Sequence, residues 1–382
     1  MQPESKLPQI GTTIFTVMSS LAERHGAINL SQGFPDFEPP AKLVEAVTRH
    51  MLEGRNQYPP MMGIAPLRER IADKALLLYG VEVNPDTEVT ISSGATEALL
   101  CSIHALVRPG DEVIVFDPAY DSYEPAILLA GGSVVHVPLT PGLFRIDFEQ
   151  LAARLSSATR LVIINTPHNP TGSLLYQDDL DRLATLLAPY QQCYVLSDEV
   201  YEHICFDPSG HASVIATEGL KQRSMAVFSF GKTYHATGWK VGYCIAPPAL
   251  TTEFRRVHQF NTFTTATPLQ WALADYMASD PQHYLELPDF YRHKRDFFRN
   301  LLQESGFELL PCEGTYFQLA DYSSLSDLDD VAFSRWLTER HKVAVIPISV
   351  FCEQQPDARW VRFCFAKQEA TLEEAADRLC RI

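Results

Sequence analysis

Through the middle of the chain, short apolar runs alternate with longer segments of helical periodicity. The runs after residue 88 predict strands, at 89–91, 112–116, 134–137, 161–164, 193–196, 226–229 and 241–245. The segments between them predict helices, at 97–107, near 121–129 and at 177–188. Because continuous Val and Ile runs separated by helices are typical of a parallel sheet buried on both faces, the pattern indicates an α/β fold with a mostly parallel central sheet flanked by helices.

The two ends of the chain follow a different pattern. Residues before about 45 are rich in proline and poorly periodic, whereas helical patterns return after about 280, with strands near 314–319, 343–347 and 360–365. We therefore predict a large domain over residues 46–280. The N-terminal segment, 1–45, and residues 281–382 together form a smaller α+β domain in this interpretation.

Composition excludes several classes of function. The 382 residues suffice for about two or three domains. The net charge of −16 argues against a nucleic-acid partner. Eight scattered cysteines without a Cys-x-x-Cys pair indicate reduced thiols in a cytoplasmic protein. The sequence also lacks the metal-binding pattern His-Glu-x-x-His, so we expect no metal site. We expect no signal peptide and, with no apolar run of about 18 residues, no membrane partner.

Four short motifs follow predicted strands, and in such sheets ligands bind at the carboxyl ends of strands. The motifs are Ser-Ser-Gly-Ala-Thr-Glu at 92–97, Asn-Thr-Pro-His-Asn-Pro-Thr-Gly at 165–172, Ser-Asp-Glu-Val-Tyr at 197–201 and Ser-Phe-Gly-Lys-Thr-Tyr-His-Ala-Thr-Gly-Trp-Lys-Val-Gly at 229–242. They offer an amine, a carboxylate, a phenol, an amide and an anion site. Pyridoxal phosphate requires these groups, so the motifs together predict a transaminase.

Lys232 is the candidate Schiff-base lysine, because it follows a buried strand and stands among Gly, Thr, His and Trp rather than in a solvated segment. An amine withdrawn from water near other cations has a lowered pKa and is nucleophilic. Ser229 and Lys240 would flank a phosphate. A nucleotide P-loop at Gly-Lys-Thr, 231–233, is excluded because it requires Gly at position 226, which is Ala.

The turn at 92–97 has two interpretations. Its small residues precede a helix, whose free N–H groups and positive dipole end attract an anion such as a phosphate. The alternative is an ordinary helix N-terminus, in which Glu97 stabilises the first turn. The presence of Lys232 in the same chain favours the phosphate.

Five further side chains offer the remaining chemistry. Asp198 ends a buried strand and needs a positive partner, which a pyridinium nitrogen supplies; a helix cap or loop salt bridge is the alternative. Tyr201 could donate to the ring hydroxyl, although most tyrosines only pack. Asn169 would most often be only a turn residue, yet its amide can donate to the ring oxygen. Tyr120 could stack on the ring or merely pack in a surface loop. Arg362, inside an apolar strand, suits bidentate capture of an α-carboxylate.

With these residues in hand, nearly the whole chain resembles the class I/II aminotransferases of pyridoxal-phosphate fold type I. It is most similar to the subgroup of kynurenine–glutamine transaminases and bacterial methionine aminotransferases. The resemblance rests on Asn-Leu-Ser-Gln-Gly-Phe-Pro-Asp-Phe at 29–37, Asn-Gln-Tyr at 56–58, the 231–242 motif and Arg-Phe-Cys-Phe at 362–365. Lys240 stands where many relatives carry Arg, a change that a phosphate should tolerate.

The resemblance implies a role for each matching residue. Lys232 carries the cofactor, Asp198 pairs with the ring nitrogen, and Asn169 and Tyr201 contact the ring oxygen. Tyr120 stacks on the ring, and the phosphate is held by Gly94, Ala95, Thr96, Ser229 and Lys240. Arg362 and Asn169 bind the substrate carboxylate with help from the Gly33 backbone. Tyr58 would reach the phosphate of the other subunit, which implies a homodimer with shared sites.

The substrates expected from these features are an L-amino acid and a 2-oxo acid in a ping-pong reaction. The predicted side-chain pocket is apolar, with Ile14, Phe15, Phe260 and Phe263, although Arg255 and Arg256 are near enough in sequence to leave a second carboxylate site open. Methionine is the first choice, and kynurenine or glutamine transamination and carbon–sulfur β-elimination of cysteine conjugates are alternatives. A non-catalytic regulator is excluded, because the chain has neither a DNA-binding segment nor a basic patch.

Overall fold

A seven-stranded sheet forms the centre of the computed structural model, which describes residues 4–354 and 358–382. In chain order the strands are β1 (Ile28–Asn29), β2 (Val89–Ser92), β3 (Glu112–Asp117), β4 (Ser133–Pro138), β5 (Thr159–Asn165), β6 (Tyr194–Asp198), β7 (Ser224–Ser229), β8 (Gly242–Ile245), β9 (Glu308–Leu309), β10 (Phe317–Asp321), β11 (Val343–Ala344), β12 (Ile346–Pro347) and β13 (Trp360–Cys364). The central sheet has the order β2-β8-β7-β6-β5-β3-β4.

Helices pack on both faces of this sheet and on the ends of the chain. They are α1 (Ile14–His25), α2 (Ala41–Leu52), α3 (Ala65–Tyr79), α4 (Ala95–Leu106), α5 (Tyr123–Leu129), α6 (Phe148–Arg154), α7 (Gln177–Leu187), α8 (Phe230–Thr233), α9 (Pro248–Asn261), α10 (Thr267–Ser279), α11 (Gln282–Leu301), α12 (Asp330–Trp336) and α13 (Glu369–Leu379). Each helix predicted from the sequence is present, with ends shifted by one or two residues. None of the described helices is long and apolar enough to cross a bilayer.

The mostly parallel sheet predicted from the apolar runs is confirmed. All seven predicted central strands form, and only β8 runs antiparallel to its neighbours β2 and β7. Alternate residues of one strand enter different cores: Val162 and Ile164 of β5 pack on one face, whereas Leu161 and Ile163 pack on the other. Burial on both faces explains why these strands read as continuous apolar runs.

A smaller antiparallel sheet, β12-β13-β10-β9, comes from the last part of the chain. The N-terminal strand β1 pairs in parallel with β11, so the first residues contact the C-terminal part, as the predicted small domain requires. The domain boundaries themselves remain a prediction. The single strand predicted over 343–347 is wrong, because the chain contributes β11 to one sheet and β12 to another.

Helix α1 lies in the segment that showed no clear periodicity. It begins where the Thr13 side chain accepts from the Thr16 N–H and ends at Gly26, which has a left-handed φ of 57°. These capping residues were the available signal for the helix. All eight cysteines are free thiols, and six of them are buried, as expected for reduced structural cysteines.

Candidate active site

A cavity of about 190 Å³ opens at the carboxyl ends of β2, β5, β6 and β7. The candidate residues that line it come from both ends of the chain and from each of the four motifs that follow strands. They are Phe15, Gly33, Gly94, Ala95, Thr96, Tyr120, Asn169, Asp198, Tyr201, Ser229, Lys232, Lys240 and Arg362. The strand register explains this convergence, since Asn165 pairs with Asp198 between the parallel strands β5 and β6, and Ser229 pairs with Gly242 between the antiparallel strands β7 and β8 at the same edge of the sheet.

Lys232 lies on the short helix α8, directly after β7, and its amine points into the cavity. The amine donates to the Tyr316 hydroxyl at 3.0 Å and to the Gly33 carbonyl at 3.3 Å. Withdrawal from water lowers the pKa of Lys232 to about 8, and the positive charges of Lys240 and Arg362 act in the same direction. Neutral amine is therefore accessible near physiological pH, which a nucleophilic lysine needs.

Asp198 is the last residue of β6 and is buried. Its Oδ2 accepts from the Tyr123 hydroxyl at 2.7 Å, and its Oδ1 accepts from the Val200 N–H at 3.4 Å. Burial raises the pKa of Asp198 to about 6, although the Tyr123 hydrogen bond opposes that rise. The carboxylate is thus ionised at neutral pH and faces a cavity in which it can meet a positive ligand atom.

The anion site predicted at 92–97 would lie at the N-terminus of α4. Gly94 precedes the helix with a φ of 84°, and no side chain caps it, so the first helical N–H groups remain available to a ligand. Lys240 lies against this turn: a Cβ on Gly94 would stand 3.2 Å from Lys240 Cε. Glu97 also accepts from the Ser93 N–H at 3.2 Å, so it stabilises the start of α4 as the alternative interpretation expects. This contact is compatible with an anion at the same turn.

Arg362, on β13, is fully buried on the opposite wall of the cavity. Its Nη1 donates to Asn169 Oδ1 at 2.6 Å and its Nη2 donates to the Ser31 carbonyl at 2.9 Å, while its Nε has no partner among the described residues. The guanidinium stacks 3.8 Å from the centre of the Phe317 ring. Burial lowers the pKa of Arg362, and a buried cation without a carboxylate favours an incoming anionic group.

A family model described as aminotransferase class I and II matches residues 25–379. The chain belongs to this family.

Its relatives cover the whole chain. It is 57% identical to a methionine aminotransferase of Escherichia coli over 99% of this chain and 97% of that protein. A solved structure of an Escherichia coli methionine aminotransferase superposes with a TM-score of 0.98 at 56% identity, covering both chains fully. The N-succinyldiaminopimelate aminotransferase of Mycobacterium tuberculosis superposes with a TM-score of 0.96 at 38% identity, again over both full chains. A mouse kynurenine–oxoglutarate transaminase is 33% identical over 97% of this chain and 88% of its own length.

Aminotransferases of this family use pyridoxal phosphate, and the cavity of this transaminase fits that cofactor. The uncapped N-terminus of α4 and Lys240 suit a phosphate. Among the described residues, the buried carboxylate of Asp198 accepts hydrogen bonds from neutral donors, so a protonated ring nitrogen could supply its positive partner. The amine of Lys232, which lines the cavity, is a group that could bond to the aldehyde of this cofactor.

Four expected residues of this aminotransferase do not line the cavity of their own chain, namely Ile14, Tyr58, Phe260 and Phe263. Tyr58 is 84% exposed and packs edge-on against Phe263, and Phe260 is 86% exposed. Ile14 packs against the core. Of the predicted side-chain pocket, Phe15 lines the cavity of the single chain, and the rest of that pocket stays a prediction.

Neither of the two arginines considered for a second carboxylate site contacts the cavity. Arg255 donates to Thr90 Oγ1 and to the carbonyls of Asp86 and Val89, and Arg256 forms an ion pair with Glu253. Both guanidinium groups are thus engaged elsewhere.

Two tyrosines of the site were missed in the sequence. Tyr123 contacts Asp198 from α5, and Tyr316 contacts Lys232 from the segment before β10. The available signals were weak: Tyr123 comes three residues after the candidate Tyr120, and Tyr316 stands in a Gly-Thr-Tyr-Phe run at 314–317.

Proposed function

We propose that this chain moves the amino group of an apolar or sulfur-containing L-amino acid, with methionine preferred, to a 2-oxo acid by a two-stage ping-pong reaction. The observation that carries this proposal is the pairing, in one cavity, of the Lys232 amine with a buried arginine, Arg362, that has no carboxylate partner among the described residues. An amino acid brings both an amino group and a carboxylate, and the cavity offers a complement to each.

Lys232 is the residue that carries the cofactor in this proposal. When bound, pyridoxal phosphate supplies an aldehyde that condenses with amino groups and a ring that takes up the electrons released at the substrate α-carbon. Asp198 holds a proton on the ring nitrogen, Asn169 and Tyr201 contact the ring oxygen, and Tyr120 stacks. The residues assigned to the phosphate are Gly94, Ala95, Thr96, Ser229 and Lys240.

Proton transfer falls to the amine of Lys232 once the substrate has displaced it. The pKa of about 8 suits this task, because a general base works best when its pKa is close to the operating pH. The amine lines the cavity and donates to the Gly33 carbonyl, a position from which it would take up the α-proton of the substrate and release it again.

Arg362 binds the substrate α-carboxylate in this proposal. Asn169 accepts one of its N–H groups and thereby orients the guanidinium, and the Gly33 backbone lies on the same wall. A planar guanidinium that is fixed before the substrate arrives loses little conformational freedom on binding.

An apolar substrate side chain is supported by the rest of the cavity. Phe15 and Leu99 contribute apolar surface to the cavity. Arg255 and Arg256 bind other residues, so among the described residues no arginine besides Arg362 lines the cavity to bind a side-chain carboxylate. The relative that shares 57% of the sequence is a methionine aminotransferase, which supports methionine as the donor.

A second copy of the chain completes the site in this proposal. Tyr58 and Phe263 pack edge-on and are exposed, as is Phe260, and exposed aromatic side chains of this kind are often covered by a partner. Tyr58 would reach the phosphate of the other copy. Sedimentation of the purified protein as a dimer is the expected result, and a monomer with full activity would contradict it.

A steady-state screen of amino acids against several 2-oxo acids tests the substrate assignment. We expect kcat/KM for methionine to exceed that for aspartate at least about a hundredfold, because a buried apolar wall leaves a side-chain carboxylate unpaired. A preference for kynurenine or glutamine would revise the donor alone. Release of pyruvate and ammonia from cystathionine, without any oxo acid, would favour carbon–sulfur β-elimination instead.

A further inference from the structure

The free amine of Lys232 has a defined resting place. It lies 3.0 Å from the Tyr316 hydroxyl and 3.3 Å from the Gly33 carbonyl. Tyr316 donates its own hydroxyl proton to the same Gly33 carbonyl at 2.6 Å. Since that proton is committed, the hydroxyl oxygen meets the amine as an acceptor, and the two oxygens together bind the protonated amine.

The rigid surroundings of Tyr316 keep this hydroxyl in position. The residue is fully buried, and its ring packs against Tyr201, Tyr291 and Phe317 with centroid distances of 5.1, 5.6 and 4.9 Å. The backbone of Gly33 packs tightly against the Phe317 ring, because a Cβ on Gly33 would stand 2.8 Å from Phe317 Cζ. Neither acceptor can move away from the amine without disturbing this packing.

We propose that Tyr316 is a positioning residue for transamination, which, with the Gly33 carbonyl, receives the amino group of Lys232 whenever that group is not bonded to the cofactor. This inference rests on the proposed role of Lys232. In each half-reaction the substrate frees the amine, and the amine must stay near the α-carbon and return. A hydroxyl that holds the amine inside the cavity keeps it close to the α-carbon for proton transfer and close to the cofactor for its return.

The other charged and titratable groups around Lys232 do not accept a hydrogen bond from its amine among the described residues. Cys364 and Asp198 favour the charged amine, and Lys240 and Arg362 oppose it. Asp198 is itself hydrogen-bonded to Tyr123, and the Tyr201 ring lies 5.5 Å from the amine without a hydrogen bond to it. The two uncharged oxygens are therefore the acceptors in direct contact with the amine among the described residues.

The test compares Tyr316→Phe with Tyr291→Phe, a matched control. Tyr291 is buried in the same aromatic cluster, but its hydroxyl contacts His235 at 3.2 Å rather than Lys232. Trace acetylation of the full chain without cofactor, followed by mass spectrometry of the peptide that contains residue 232, gives the pKa of that amine. Loss of an acceptor from the charged form should lower this pKa by about one unit in Tyr316→Phe and leave it unchanged in Tyr291→Phe.

The loaded enzyme provides a second readout. We expect Tyr316→Phe to lower kcat by about tenfold while its affinity for pyridoxal phosphate and its melting temperature stay near those of the wild type. An unchanged labelling profile in Tyr316→Phe, or an equal shift in both variants, would overturn the proposal. Because acetylation is read without cofactor, this outcome is distinct from a failure of Lys232 to bind the cofactor, which borohydride reduction of the wild type would reveal.

Discussion

Two of the lysines withdrawn from water in this aminotransferase, Lys74 and Lys232, differ in position, because Lys232 lines the cavity and Lys74 does not. Lys74 lies on α3 beneath the sheet, and Lys232 lies on α8 at the end of β7. Each donates to a tyrosine hydroxyl, Lys74 to Tyr243 at 2.5 Å and Lys232 to Tyr316 at 3.0 Å. Loss of water lowers the pKa of both amines.

The partners of the two amines differ in charge. Lys74 forms a buried ion pair with Glu202, and the same carboxylate accepts from the hydroxyls of Tyr79 and Tyr243 at 2.6 and 3.0 Å. Lys232 contacts two uncharged oxygens, and the positive charges of Lys240 and Arg362 act on it. The direct carboxylate of Glu202 opposes the lowering of the Lys74 pKa and favours the protonated amine, whereas the nearby cations add to the lowering at Lys232 and favour the neutral, nucleophilic form. Burial alone therefore does not make a reactive lysine.

The largest expected effect separates the two lysines by activity. Lys232→Ala should lower turnover by about 10⁴-fold or more, because it removes the nucleophile and the proton carrier together. Lys74→Met should keep turnover per folded molecule within about tenfold, since Lys74 does not line the cavity. Steady-state rates with methionine measure both, and comparable losses in the two variants would break the comparison.

A second prediction separates them by stability. Lys74→Met should lower the free energy of unfolding by about 3–5 kcal/mol, because it leaves the Glu202 carboxylate buried without its cation. The control Lys221→Met removes an exposed lysine paired with Glu218 and should cost less than about 1 kcal/mol. Urea unfolding measures both changes. A loss in Lys74→Met no larger than that in Lys221→Met would show that the buried pair is not a structural one.

A smaller effect concerns the carboxylate that shares the cavity with Lys232. Asp198 is ionised above its pKa of about 6, so its pairing with a protonated ring nitrogen is present above that pH and is lost as the pH falls through it. Tyr123→Phe removes a hydrogen bond that favours the ionised form and should move this midpoint up by about one pH unit.

Binding of pyridoxal phosphate to the cofactor-free chain between pH 5 and 8 measures the midpoint. The matched control is Tyr276→Phe on α10, because the Tyr276 hydroxyl donates to Asp280, which follows the helix outside the cavity. An identical pH dependence in Tyr123→Phe and the wild type would contradict the role of Tyr123.

The sequence predicted the central sheet and its edge because both follow from local pattern. A strand buried on both faces is a continuous apolar run, and a polar residue directly after it lies at the carboxyl end, where Asp198 and Lys232 were placed correctly. Arg362 was recognisable for the same reason, as a charge inside an apolar strand.

No local sequence pattern predicted the contacts between distant segments of the chain. Tyr123 meets a residue 75 positions away and Tyr316 meets one 84 positions away, and nothing in either local sequence separates these tyrosines from packing residues. The strands β1 and β9 have two residues each, too few for a period to show. Phe260 and Phe263 looked like pocket residues by their apolar character, but the end of α9 places them on the surface of the single chain.

The central claim is that the amine of Lys232, and not that of another withdrawn lysine, bonds to the cofactor. Borohydride reduction of the purified enzyme, followed by tryptic digestion and mass spectrometry, tests it directly. We predict one cofactor group per chain on residue 232, in a peptide left uncut at that position, and none on residue 74. A cofactor group on any other lysine, or a protein that borohydride does not label at all, would contradict the account.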